Sequence, residues 1–339
     1  MNKAFRKAGI EEKYFDTGEV KLNYVAGPRN GIPIVFIPAQ GATWEEYQLL
    51  LPKLAHRFQV FAVSLRGHGN SSWTPSRYTL NILGEDMTVF LREVVGQPAV
   101  IGGNSSGGVL AVWLAANAPE HVQAIICEDP PLFRCEWPAI KTLVAYNIFL
   151  GWAKMAVAGG GGFPKYFTES IAQLADIGKG VLEIKLPPKA IVEFISTLIA
   201  LQLAIRPGSA VDLKFLPLPA RIAMKGLSQY DGNFSRAFVD GTMGEGFDHA
   251  TALAKVTQPI LFLHATWFMI GERIMGALTD DDVQHVKSLV KGSFKYVRIN
   301  CGHYIAVEKP DEECKEIMSF IDEYLKSGLK WLLVEPQLV

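Results

Sequence analysis

Ala99-Val100-Ile101-Gly102-Gly103-Asn104-Ser105-Ser106-Gly107-Gly108-Val109-Leu110-Ala111-Val112-Trp113-Leu114 reads as a strand, a sharp turn and a helix. A short apolar run without polar alternation gives way to Gly-x-Ser-x-Gly, and the apolar residues beyond it continue as a helix. A serine in such a turn has strained dihedrals, so its flanking positions must be small, and Gly103 and Gly107 meet that demand. Its hydroxyl would project above the sheet, where the N-terminal amides of the following helix favour a developing negative oxygen. A glycine-rich helix start that merely packs closely is the competing reading. It accounts for the glycines but not for the strand that precedes them.

Outward from this stretch, short apolar runs at residues 32–39, 58–65, 99–103 and 124–127 alternate with helical patterns at 44–56, 80–95 and 106–118. Strands of this kind are buried on both faces, as in a parallel sheet with crossover helices. After Pro130-Pro131 the alternation stops, and helix-like segments run to about Thr257. It resumes with a strand at 259–264, a helix near 280–290, a strand at 295–300 and a closing helix at 311–325. The expected organisation is a core of residues 1–131 and 258–339 split by a helical insertion at 132–257. The insertion contains Gly159-Gly160-Gly161-Gly162, which is followed by Phe163-Pro164 rather than Gly-Lys-Ser/Thr and so reads as a loop, not a phosphate cradle.

A serine hydroxyl needs a base. Of the seven histidines, His303 alone follows a glycine at the end of the last core strand, which in a parallel sheet is the same edge as Ser105. For the oxyanion, the elbow mechanism calls for the amide of Ser106 and a second amide from the loop after the third strand, supplied by Gly41 or Ala42. Gln40 either supports that loop by hydrogen bonding or is solvated.

These features resemble the α/β-hydrolase superfamily. Arg66-Gly67-His68-Gly69-Asn70-Ser71 looks like its R-G-x-G-x-S turn after the fourth strand, and Gln40-Gly41 stands where most members have His-Gly. The resemblance implies the α/β-hydrolase fold: a mostly parallel eight-stranded sheet flanked by helices, with a helical lid between strands six and seven. It also implies an acid after strand seven, where this chain has Phe268 and no carboxylate before Glu272. Asp129, past strand six, is the expected acid instead, with Glu128 as the alternative. A relocated acid and a G-x-S-S-G elbow are similar to the lactone hydrolases that open zearalenone, whose oxyanion glycine would correspond to Gly41. Asn104 before the serine resembles the carbon–carbon bond hydrolases of aromatic degradation.

Composition narrows the function classes. Lys and Arg number 33 against 34 Asp and Glu, a formal net charge of -1, which offers no general attraction for nucleic acid or anionic lipid. The four cysteines, Cys127, Cys135, Cys301 and Cys314, have no C-x-x-C spacing, and buried, reduced thiols are expected. No cofactor or metal is implied. Residues 142–163 and 190–205 are apolar but interrupted by Asn147, Lys154 and Glu193, so no integral span is expected; without a signal-peptide pattern the expected location is cytoplasmic.

The function expected is a serine hydrolase that cleaves a carboxylic ester or lactone of a bulky hydrophobic substrate through an acyl-enzyme, with Ser105 as nucleophile, His303 as base and Asp129 as the orienting acid. Gln40, Ala42, Trp267 and Phe268 are the expected substrate contacts. The alternatives are a carbon–carbon bond hydrolase and a non-catalytic ligand-binding homologue.

Overall fold

The computed structural model describes residues 3–156, 163–164, 166 and 188–325. The strands are β1 (Glu11–Asp16), β2 (Lys21–Ala26), β3 (Pro33–Ile37), β4 (Gln59–Ser64), β5 (Ala99–Asn104), β6 (Val122–Glu128), β7 (Ile260–His264), β8 (Phe268–Ile270), β9 (Arg273–Met275) and β10 (Phe294–Arg298). Eight of them form one sheet in the order β1-β2-β4-β3-β5-β6-β7-β10, antiparallel at β1/β2 and β2/β4 and parallel from β4 onward. β8 and β9 make a separate hairpin.

The central strands are buried on both faces because each carries apolar side chains at successive positions. In β3, Ile34 and Phe36 face one core cluster while Val35 and Ile37 face the other, as the twofold alternation of a strand requires. The edge strand β1 is exposed and carries Glu11, Glu12 and Lys13, charges that discourage pairing with another chain.

Between β6 and β7 lie the helices Ala145–Met155, Lys189–Ile205, Leu218–Ser228, Gly232–Asp240 and His249–Leu253, with no strand among the described residues. The run Gly159–Gly162 falls outside the described residues, as does part of 142–163. Among the described residues no helix is long and apolar enough to cross a membrane.

Three local expectations change. The helix expected at 44–56 is a 3-10 turn, Trp44–Tyr47, followed by the single turn Leu51–Leu54, because Pro52 has no amide to continue the first into the second. The helix from Leu80 widens into a π-helical turn at Leu91–Val95 and stops at Gly96, whose φ of 71° ends it. The β8–β9 hairpin stands between the strand at 259–264 and the helix near 280–290, where no element was expected, and turns at Gly271 with φ 60°.

Candidate active site

Ser105 has φ 55° and ψ -120°, a conformation L-residues rarely adopt. Packing holds it there. A Cβ on Gly107 would lie 2.0 Å from the Ile37 carbonyl oxygen, and one on Gly103 2.3 Å from the Gly107 carbonyl carbon. The strand can therefore turn into the helix Ser106–Asn117 only with glycine at both flanks.

At the same sheet edge Asp129, with φ 46°, follows β6 and is buried. Its Oδ1 accepts from the Ala265 amide at 3.2 Å, and its Oδ2 accepts from His303 Nδ1 at 2.7 Å. That bond commits the Nδ1 proton, leaving Nε2 as the free ring nitrogen. Burial pulls the His303 imidazole toward its neutral form, but the hydrogen bond and charge of Asp129, with Glu46 and Glu308 beyond, hold its pKa above the ordinary histidine value. Glu128 points to the opposite face, where its carboxyl accepts from the Tyr47 hydroxyl at 3.2 Å. Asp280 pairs with Arg298, Asp282 with Arg134, and Glu272 sits exposed in the hairpin turn, so none of them approaches His303 through these contacts. His264 is tied at both ring nitrogens, to the Leu278 carbonyl and to Arg298 and Tyr296.

Ser105, Ser106, Gln40, His303 and Tyr304 line one cavity of ≈ 220 Å³. Its remaining walls are apolar: Leu143, Ile148, Phe149 and Trp152 come from the insertion, and Met275, Gly276 and Ala277 follow from the hairpin. Trp267 and Phe268, expected as substrate contacts, are not among the lining residues; Trp267 instead backs the wall, since a Cβ on Gly276 would lie 2.6 Å from its own Cβ. Ala42 is also outside the cavity, and its amide closes a turn onto the Ala39 carbonyl at 3.0 Å. Gln40 lines the cavity, but its side-chain amide is spent on the insertion, donating to the Tyr230 hydroxyl at 2.9 Å and to Ser235 Oγ at 2.7 Å.

The expectation for Gly41 is corrected. Its amide donates to His68 Nε2 at 3.1 Å. His68 Nδ1 donates to the Arg66 carbonyl, so the Nε2 lone pair is free to accept, and burial pushes the imidazole pKa down to about 4, which keeps that lone pair unprotonated. The Ala39 amide is taken by Glu46 Oε2 at 2.9 Å. With Gly41 and Ala42 also engaged, the Gln40 amide is the one donor of this loop with no acceptor among the described residues. The Ser106 amide, first in its helix, has none either. The insertion roofs this loop: a Cβ on Gly226 would lie 2.3 Å from the Gly41 carbonyl oxygen, and one on Gly41 2.9 Å from Leu227 Cδ2.

Cys127 and Cys314 are buried as expected, whereas Cys135 and Cys301 are half-buried. Cys135 lines the cavity, but His249 accepts from the Phe133 amide at Nδ1, so its other nitrogen carries a proton and offers the thiol no base. Among the described residues no cluster of His, Cys, Asp and Glu has the arrangement of a metal site.

Beneath the site Glu46, Glu128 and Glu313 are fully buried. Burial pushes Glu46 up to about 7 and Glu313 up to about 8, and it raises Glu128 well above the carboxylate range. The folded protein thus holds protons that the unfolded chain releases near the ordinary value of 4.5. Stability from these groups is complete below that value and is lost as pH rises through their folded pKa values, each proton counting about 1.4 kcal/mol per pH unit. His68 and His249, both lowered to about 4, act in the opposite direction but only below the ordinary histidine value. Between pH ~6.5 and ~8 the urea midpoint is therefore expected to fall, and Glu313→Gln to flatten the decline. A midpoint rising across that window would contradict the buried-acid account.

An eight-stranded, mostly parallel sheet flanked by helices, with a serine elbow past β5 and helices inserted after β6, is the α/β-hydrolase fold. Residues 32–169 match the family described as alpha/beta hydrolase fold. The bifunctional epoxide hydrolase 2 of Sus scrofa is 36% identical over 92 residues, covering 26% of this chain and 17% of that protein. The pimeloyl-[acyl-carrier protein] methyl ester esterase of Aeromonas hydrophila subsp. hydrophila is 36% identical over 116 residues, 32% of this chain and 43% of that one. The matched stretch thus spans less than half the length of either relative. Among solved structures, the enol-lactonase from Burkholderia xenovorans LB400 superposes with a TM-score of 0.61 at 18% identity, over 92% of this chain and 100% of that one, a likeness of fold.

Proposed function

We propose that the protein is a serine hydrolase that cleaves a carboxylic ester or lactone of a hydrophobic substrate through an acyl-enzyme. The observation that carries this reading is the His303–Asp129 bond of 2.7 Å, which leaves Nε2 free in a residue that shares its cavity with Ser105. Ser105 Oγ attacks the carbonyl carbon while its proton passes to His303 Nε2, and Asp129 stabilises the imidazolium. The Ser106 and Gln40 amides receive the oxyanion. The proton then goes to the departing alkoxide, and water, activated by the same nitrogen, releases the acid. With a lactone the alcohol stays on the substrate, and a zearalenone-type aromatic macrolactone belongs in the test panel for that reason. We read residues 132–257 as a lid over the core segments 1–131 and 258–339.

The test is covalent labelling by a fluorophosphonate, mapped to Ser105 and followed by turnover of p-nitrophenyl esters and lactones. Folded protein that takes no label and turns over no ester would place it among non-catalytic ligand-binding homologues. The serine also separates this chain from epoxide hydrolysis, which in this fold uses a carboxylate at the elbow. Apolar walls lead to a further expectation: kcat/KM rises from acetate to larger acyl esters. Ala145→Phe, which fills space in the lining, is expected to lower the larger substrates about 10-fold while sparing acetate. Equal losses on both would remove Ala145 from the acyl pocket.

A further inference from the structure

We propose that Asn104, the residue before the nucleophile, is a positioning residue that holds the loops of the base and the acid in register with Ser105. The inference rests on the serine-hydrolase reading and concerns a side chain that does not line the cavity. Asn104 is fully buried. Its Nδ2 donates to the His303 carbonyl at 2.8 Å and to the Glu128 carbonyl at 3.1 Å. The Glu128 carbonyl, on the residue before Asp129, also accepts the Ser105 amide at 2.9 Å. The Asn104 backbone is fixed in turn, its amide donating to the Tyr47 hydroxyl at 3.0 Å. One carboxamide nitrogen thus sits where the nucleophile, acid and base segments meet.

The chemistry explains the residue type. A carboxamide nitrogen has two N–H donors, and both are used on carbonyls belonging to different parts of the chain. Leucine matches its size and has no donor, while aspartate would present only acceptors to the same two carbonyls. The His303 carbonyl has no other donor among the described residues, so this bond is what ties the backbone of the base to the core strand. Asn104 therefore fixes how squarely His303 meets Asp129.

The experiment compares wild type with Asn104→Leu and, should that variant pack badly, Asn104→Ala, each checked for folding by circular dichroism. Expected are a 10²- to 10³-fold fall in kcat with KM within about 3-fold. A loosened His303–Asp129 bond also lets the histidine pKa fall toward its ordinary value. The acid limb of the kcat/KM profile, set by protonation of the base, is then expected at lower pH in the variants than in wild type. The downfield proton resonance of the His303 Nδ1–H is expected to broaden or move upfield. Folded variants with a near-wild-type kcat, or with reduced kcat but an unmoved acid limb and resonance, would overturn the assignment. The resonance is read without turnover, so it decides the positioning role even if wild-type Ser105 takes no label, a result that would sink only the hydrolase reading.

Discussion

Ser105→Ala is expected to leave a folded protein whose ester turnover is lower by about 10⁶. The substitution deletes one oxygen and leaves the backbone at φ 55° no worse placed than before, because alanine and serine share the same Cβ constraint. Stability should change little, since among the described residues no hydrogen bond of the Ser105 side chain holds the elbow; glycines at 103 and 107 and the Ser105 amide bonded to Glu128 do so. The measurement is kcat on a p-nitrophenyl ester together with a urea midpoint. Residual activity within 10-fold of wild type would remove Ser105 from the chemistry. His303→Ala is expected to be comparably severe, because His264 has both ring nitrogens engaged and cannot substitute.

Asp129→Asn is expected to cost about 10⁴ in turnover. The two oxygens of Asp129 face two donors, the Ala265 amide and His303 Nδ1. A carboxamide can present only one oxygen. Turned to satisfy Ala265, it points an N–H at His303 and forces the proton onto Nε2, the nitrogen that must accept from Ser105. Turned the other way, it sets two donors against each other at Ala265. Glu128→Gln is the control and should be mild, since that carboxyl lies on the opposite face and a carboxamide oxygen can still accept from Tyr47. If the phenotypes were exchanged, the acid would be Glu128 and the geometry of the base would need another explanation.

The parallel core was legible because its strands are apolar runs bounded by turn residues, and the elbow because its steric demand leaves glycine at two fixed positions. The hairpin at 268–275 was not, because strands of three residues carry too little pattern to register as a period. Gly41 shows a different limit. The loop could be located in sequence, but the direction of each amide depends on His68, which meets it only in the folded chain and takes the Gly41 N–H for itself. The same holds for Gln40, whose partners Tyr230 and Ser235 lie in the insertion. Asn104 looked like a mark of substrate class, whereas its contacts are with backbone carbonyls.

The seam between the insertion and the loop after β3 bears on how such proteins can diverge. Gly226 rests on the Gly41 carbonyl, Gln40 is bonded to Tyr230 and Ser235, and His68 lies against the rings of Tyr230 and Phe234 at 4.9 and 4.6 Å. The helices between β6 and β7 are consequently tied to this loop through named contacts rather than resting loosely on it. A chimera with a foreign insertion would leave Gln40 without its acceptors and bring side chains against Gly41 that the close approach at Gly226 excludes. A foreign insertion is therefore expected to fold stably only when the loop at 38–42 and the turn at 66–71 are exchanged with it, and an insertion swap alone that kept the wild-type urea midpoint would contradict this coupling.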